Sequence, residues 1–460
     1  MRARTAKSFW PYQNPYFLND AANGPTVKYA FPGFFNLIRT DDKLAQAMRF
    51  LVLALVFLQP INHVNALRLL SLYFLLGLFC VRLMRKGRGF FGEFSEPATL
   101  ALLALAGWAL IASVIGPYPM ESLNAARKSL MPQILLFLVV ISEFRSPDQI
   151  KKLFTVVVFS FVATTVLSAL DVLHIGLDTF RIALVSHDMF LGGYAANAGF
   201  YFPFTLLWLL TIAKDERYLI KTICIITLIC SYFIVLLYNS RTALITISLS
   251  ALLVPLLAGR RRSILIIAAA LLLVAAAALY GGADLAKYRS LGHQDTYISN
   301  AGLSSRVSVW SGAWDIARER FVTGYGYGWK KLAWVINNGN WLVRWKNHPD
   351  PNILAWYAPQ GSAEYGRVNP HILLLQILFE IGFVGVLLYA VFWLSCLTSV
   401  IARISAKTRA PDLFVRGSLG VMLSYFLLNV TNGYWEGALA NMMIVFLACT
   451  LTLIRLDARN

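Results

Sequence analysis

The sequence predicts an all-α, polytopic membrane protein. It has about twelve transmembrane helices, and one large outer loop separates the ninth from the tenth. Three observations predict this. Of 460 residues, 58% are hydrophobic and only 14% are charged, where a soluble domain carries about a quarter charged; the mean hydropathy is +0.61. Apolar runs long enough to cross a bilayer, about 20 residues each, recur along the chain. Lys and Arg gather on alternate connections, the pattern that marks cytoplasmic loops. The composition excludes disorder, which needs low hydrophobicity, and most soluble enzyme classes.

Taken in order, residues 1–43 form an inner segment with six Lys and Arg. It lacks a continuous apolar stretch and a small-residue cleavage site, so a cleavable signal peptide is not expected. Its stretch 31–38 reads equally as a segment lying in the membrane interface and as a plain linker. The first nine spans are expected at 44–60, 64–82, 97–115, 127–143, 152–172, 190–213, 220–237, 241–258 and 263–281, filling the region 44–281. The loop 282–368 follows, and the region 369–460 holds spans at 369–402, 411–430 and 434–454 with a short inner tail. Gly382 and Gly385 are expected to bend the long tenth run. With both termini inside, the inner segments carry 25 of the 41 Lys and Arg, and the short outer loops carry only Arg127, Lys128, Arg181 and Arg241. The formal net charge of +18 therefore serves orientation, and nucleic acid is not an expected partner. The five cysteines, Cys80, Cys224, Cys230, Cys396 and Cys449, all fall in apolar runs, so no disulfide framework is indicated.

The informative residues are those a bilayer disfavours. Arg241 follows Tyr238-Asn239-Ser240 in a tight outer turn. It opposes the charge bias and stands at a helix N-terminus, where the macrodipole disfavours a cation. Free N–H groups and a guanidinium fork together make an anion site; the alternative is an arginine snorkelling to the interface. Arg127 and Lys128 repeat the pattern at the fourth span, and Arg181 does so before the sixth. Singly these three read as solvated charges; together they make the outer mouth positive.

In the large loop, Trp310, Ala313, Trp314, Ala317 and Phe321 follow helical spacing, behind Ser304 and Ser305 as N-cap residues. Arg306 then lies in the first turn of an amphipathic helix, and the aromatic stripe is expected to pack on the membrane domain. Gly324, Gly326 and Gly328 match no phosphate-loop pattern and read as a turn ending that helix. Pro370 suits a first helical turn, which puts His371 at the outer boundary beside a positive helix end. That environment keeps an imidazole neutral, as a general base requires. His348, His187 and His293 are the other outer histidines, and Glu380 is the main carboxylate deep in a run. No metal-binding pattern and no ladder of intramembrane carboxylates is present, so neither a metal nor another cofactor is expected.

In combination, Ser240-Arg241-Thr242, then Arg306 four residues before Trp310, then His371, Glu380, Gly382 and Gly385, resemble the O-antigen ligase and O-antigen polymerase superfamily of bacterial inner membranes. The motifs span roughly residues 190–454. The resemblance implies a membrane glycosyltransferase that moves a glycan from undecaprenyl diphosphate on the periplasmic face. A ligase passes it to lipid A–core; a polymerase joins lipid-linked repeat units. By the same resemblance Arg241 and Arg306 would hold the diphosphate and His371 would activate the acceptor hydroxyl. The reading of the residues adds Arg127, Lys128, Arg181, Glu380 and His348 as candidate accessory residues. Ile372 follows His371 where family members often carry Asn or Ser, which keeps His348 as a second candidate base. Membrane lipids are the remaining expected partners. A transporter for lipid-linked sugars would place charges deep in many spans, whereas here the odd cations collect at one face. A scaffold for polysaccharide export would leave His371 without a task.

Overall fold

The computed structural model describes residues 41–61, 64–175, 194–211, 218–237, 240–260, 267–268, 271–272, 303–361, 368–406, 413–430 and 432–459. Arg181, His187, His293, the interfacial stretch 31–38 and nearly all of the expected ninth span lie outside them.

Helices account for almost all of the described chain. The helices that coincide with apolar runs are α1 (Asp41–Leu58), α2 (Asn65–Lys86), α3 (Pro97–Ile115), α4 (Pro119–Glu143), α5 (Pro147–Ile175), α6 (Tyr194–Thr211), α7 (Tyr218–Leu237) and α8 (Arg241–Leu257). Four described α-helices fall in the expected outer loop: α9 (Leu303–Glu319), α10 (Leu332–Asn338), α11 (Trp341–Arg344) and α12 (Pro351–Gly361). The last three are α13 (Leu373–Ser405), α14 (Leu413–Asn429) and α15 (Gly437–Arg459). Among the described residues, seven helices are long and apolar enough to cross a membrane: α2, α3, α4, α5, α7, α13 and α15. α8 and α14 are apolar but shorter. Seven is thus the number that length and apolarity give here; twelve is the expectation from sequence.

α4 starts earlier than its apolar run because Pro119 opens a helix that continues through a π-helical turn, Ala126–Leu130, into the span. One large core joins the bundle. In it α13 packs on α3, α15 on α4, and α14 on both α6 and α8. A second, smaller core joins α9, α10, α11 and α12 through Val309, Ile316, Leu332, Ile336, Trp341 and Tyr357. It reaches the bundle at Leu378 and Phe379 of α13.

Two arginines inside expected spans have local explanations. Arg49 donates to the Glu143 carbonyl at the end of α4 (3.1 Å). Arg68 donates to the Gln59 carbonyl (3.0 Å) and to the Asn65 side chain. A buried ion pair also ties α2 to α4: Arg82 Nε and Nη2 donate to the two oxygens of Glu143 at 3.0 and 3.1 Å.

Gly382 does more than bend α13. Its φ of +69° and ψ of −172° interrupt the helix, a conformation that excludes most residues with a Cβ. The break frees backbone groups that the neighbouring chain then takes up. Phe383 N donates to the Phe321 carbonyl (2.7 Å), and Tyr325 N donates to the Phe379 carbonyl (2.8 Å). Trp108 Nε1 donates to the Ile381 carbonyl (2.8 Å). A buried backbone group left unpaired is costly, so the break and the loop that answers it are one unit. Gly385, in contrast, is helical.

Candidate active site

The glycine turn positions the site. Gly324, Gly326 and Gly328 have φ of +68°, +95° and +98°, as a turn ending α9 requires. A Cβ on Gly324 would stand 2.6 Å from the Glu380 backbone, so the loop lies directly against the broken part of α13. Below it is a buried polar cluster. Glu380 accepts from Gly328 N (2.6 Å), Gln376 Nε2 (2.8 Å) and Trp435 Nε1 (3.3 Å). Lys331, only 1% exposed, donates from Nζ to Ser122 Oγ (2.9 Å) and to the carbonyls of Tyr327 (2.7 Å) and Gly328 (2.8 Å). Burial pushes its ammonium down to about 8. Glu380 therefore clamps the loop to α13 and to the turn before α15.

On that frame the described candidates separate into two groups. Arg241 is the first residue of α8, behind Ser240, and Arg306 lies in the first turn of α9. The two guanidinium groups are close enough for the charge of Arg241 to act on Arg306. Arg306 in turn acts on the imidazole of His371 and on the phenol of Tyr434. Residues far apart in sequence, on four separate segments of the chain, thus share one electrostatic neighbourhood. Bringing like charges together and burying them is unfavourable, and such arrangements concentrate at functional sites.

His371 differs from expectation in its placement. α13 begins at Leu373, with Ile372 extended before it, so Pro370 and His371 precede the helix. The reason is a local turn: His371 N donates to Asn369 Oδ1 (2.7 Å), and His371 takes a left-handed φ of +53°. Such side chain–backbone turns compete with helix initiation. The edge of the Trp356 ring lies against the imidazole, centroids 6.5 Å apart. Burial first, and the Arg306 charge second, push His371 down to about 4. The imidazole is neutral as expected, and burial beside a guanidinium is the cause.

His348, the second candidate base, is occupied. Its Nδ1 accepts from Asp350 N (3.0 Å), and its Nε2 lies 3.4 Å from Asp315 Oδ2. Arg127 donates to the Tyr73 hydroxyl (2.7 Å) and to Asn124 Oδ1 (2.9 Å). Lys128 lines a cavity whose walls include none of Arg241, Arg306 or His371. The stripe of α9 follows expectation at Ala313, Ala317 and Phe321 and departs from it at Trp314. Trp314 is 44% and Phe321 38% exposed, and the buried face is Val309, Ala313, Ile316 and Ala317. Phe321 stacks on Phe383 of α13 (5.2 Å), the packing on the membrane domain that the sequence predicts.

Sequence reasoning missed Tyr434, Glu436 and Lys331. The signal for the first two was the polar, glycine-containing stretch Asn432-Gly433-Tyr434-Trp435-Glu436 between apolar runs. Burial pushes the Tyr434 phenol up to about 12. Nothing local distinguishes Lys331 from a solvated loop cation. Among the described residues, no three of His, Cys, Asp and Glu gather as a metal-ligand set.

Residues 226–390 match a family model described as O-antigen ligase. This stretch, about a third of the chain, is similar to that family. The match contains Arg241, Arg306, His371 and Glu380 and ends before Tyr434. It supports the O-antigen ligase superfamily and, with the apolar helices, a multi-pass membrane protein of glycosyltransferase type acting on lipid-linked glycans. No curated protein matches the chain at a significant level.

Proposed function

We propose that the protein is an O-antigen ligase of the bacterial inner membrane. It transfers a glycan from undecaprenyl diphosphate to lipid A–core on the periplasmic face, without a metal ion and with inversion. The observation that carries this reading is the approach of Arg241, Arg306 and His371 from three separate segments of the chain. Arg241 and Arg306 hold the diphosphate. A diphosphate leaves with the electron pair of the broken bond to the anomeric carbon, and two guanidinium forks neutralise the charge it gains. His371 takes the proton of the acceptor hydroxyl as its oxygen bonds to that carbon from the opposite side. Burial supports this role, because a neutral imidazole has a lone pair to offer. The Tyr434 phenol, close to Arg306, is positioned to donate to the same diphosphate.

Transfer rate and donor affinity, measured in purified protein reconstituted in lipid, test the proposal. His371→Ala should slow transfer about 10²–10⁴-fold and leave donor binding largely intact. Arg241→Lys and Arg306→Lys should each lose most activity, since a lysine keeps the charge but not the fork. His348→Ala should be mild, and activity should survive a chelator. An inactive His348→Ala protein, with His371→Ala active, would overturn the assignment of the base. In a deletion strain, a ligase leaves lipid-linked polymer without capped lipopolysaccharide. Single repeats on lipid A–core would instead identify a polymerase.

A further inference from the structure

A cavity of about 620 Å3 lies at the same end of the bundle, between α2, α4, the segment after Gly328 and the start of α15. Its walls are of two kinds. Arg68, Lys128 and Lys330 bring positive charge. Both lysines are exposed, while Arg68 is held by the Gln59 carbonyl and Asn65. Leu55, Leu69 and Leu72 bring an apolar wall. Leu69 is 42% exposed and continues into Leu67 and Leu70, at 50% and 54%. α2 is the least buried of the candidate spans, so the apolar wall runs out onto a face that would meet lipid.

Two buried polar atoms are available to a hydroxylated ligand. Asn441, 5% exposed, lines the cavity, and its Oδ1 has no hydrogen-bond partner among the described residues. The same holds for Glu436 Oε1. Buried polar atoms normally find partners. Glu436 also lines the cavity; burial first, and Glu380 second, hold its carboxyl well above the usual range.

We propose that this cavity is a second binding site, taking the phosphorylated, hydroxyl-bearing headgroup of a membrane amphiphile whose hydrocarbon chain follows the leucine face of α2. Three cations fit a phosphate. The leucine wall fits a chain, and Asn441 Oδ1 and Glu436 Oε1 both offer acceptors to hydroxyls. Arg241 and Arg306 form a separate site, so two lipid-borne anions can be held at once. Transfer between two such lipids needs both. Assigning this cavity to the acceptor rests on the ligase reading; the binding itself does not.

Native mass spectrometry of the full-length protein tests the binding, with dihexanoyl phosphatidic acid, dihexanoyl phosphatidylcholine and inorganic phosphate as probes. Phosphatidic acid should bind the parent protein best. The double variant Lys128→Ala, Lys330→Ala should bind it at least about tenfold more weakly, a change of about 1.4 kcal/mol. Lys128→Arg, Lys330→Arg should restore binding, which a folding defect at these positions would not allow. Arg241→Ala, Arg306→Ala should leave the binding site in the cavity filled. Unchanged binding in the lysine-to-alanine variant overturns the proposal. So does binding of phosphatidylcholine or inorganic phosphate as tight as that of phosphatidic acid, which would mean a nonspecific lipid groove or a free-anion site. In transfer assays the lysine-to-alanine variant should raise the acceptor KM and spare the donor KM. If His371→Ala stays fully active while the binding results hold, the ligase reading fails and the cavity stands.

Discussion

His371 should make the reaction insensitive to pH across a range where an ordinary histidine base would switch off. The imidazole sits at about 4, against about 6.5 for a free side chain. A base acts in its neutral form, so the rate rises with pH through its pKa and then stays level. At pH 5.5 a group at about 4 is about 97% neutral, while one at about 6.5 is about 9% neutral. At pH 4.5 the two differ still more, about 76% against about 1%. The assay is initial-rate transfer by reconstituted protein, with kcat/KM followed between about pH 4.5 and 8; this ratio reports the free enzyme. It should be flat above about pH 5.5 and fall by less than half at pH 4.5. The kcat profile should break at higher pH, because a bound diphosphate favours the imidazolium. Arg306→Gln removes the smaller of the two causes, so its kcat/KM limb should move up in pH but stop short of 6.5. His371→Ala should leave a slow residual rate without this limb. A parent kcat/KM profile that halves near pH 6.5 would refute the reasoning, because His371 would then be solvated and remote from Arg306.

Three further outcomes follow from the fold. Gly382→Ala places a Cβ 2.1 Å from the Val322 carbonyl at φ +69°; the strain and the threatened Phe383–Phe321 bond should cost about 3 kcal/mol or more, read as a lowered thermal midpoint in detergent. Arg82→Met strands the buried Glu143 carboxylate and should cost about 3–5 kcal/mol, with Arg82→Met, Glu143→Leu recovering most of it; a double-mutant cycle by chemical denaturation decides. A cysteine replacing the half-exposed Arg344 should react with an impermeant thiol reagent in intact spheroplasts, and labelling only after lysis would reverse the orientation.

Helix positions and local roles were legible in the sequence because both depend on neighbours along the chain. Hydropathy and charge alternation marked the helices, and Ser240 and Arg241 announced the start of α8. The spacing after Ser305 put Arg306 in a first helical turn. Gly382 was suspect because an apolar helix has little other use for glycine. Competing local preferences were harder to rank: Asn369 drew His371 into a turn where Pro370 suggested a helix. Tertiary structure alone decided what depends on distant elements meeting. It brought Arg241 and Arg306 together beside His371. It turned Lys331, which reads as an ordinary loop cation, into a buried donor to Ser122, Tyr327 and Gly328. It also set Phe321 against Phe383 and left Trp314 exposed, because the face of α9 that is buried depends on what α12 and α13 present to it. Hydropathy is a property of each residue and its neighbours. Charge proximity and burial belong to the packed molecule, where the bundle core sets which loop lies over which helix end.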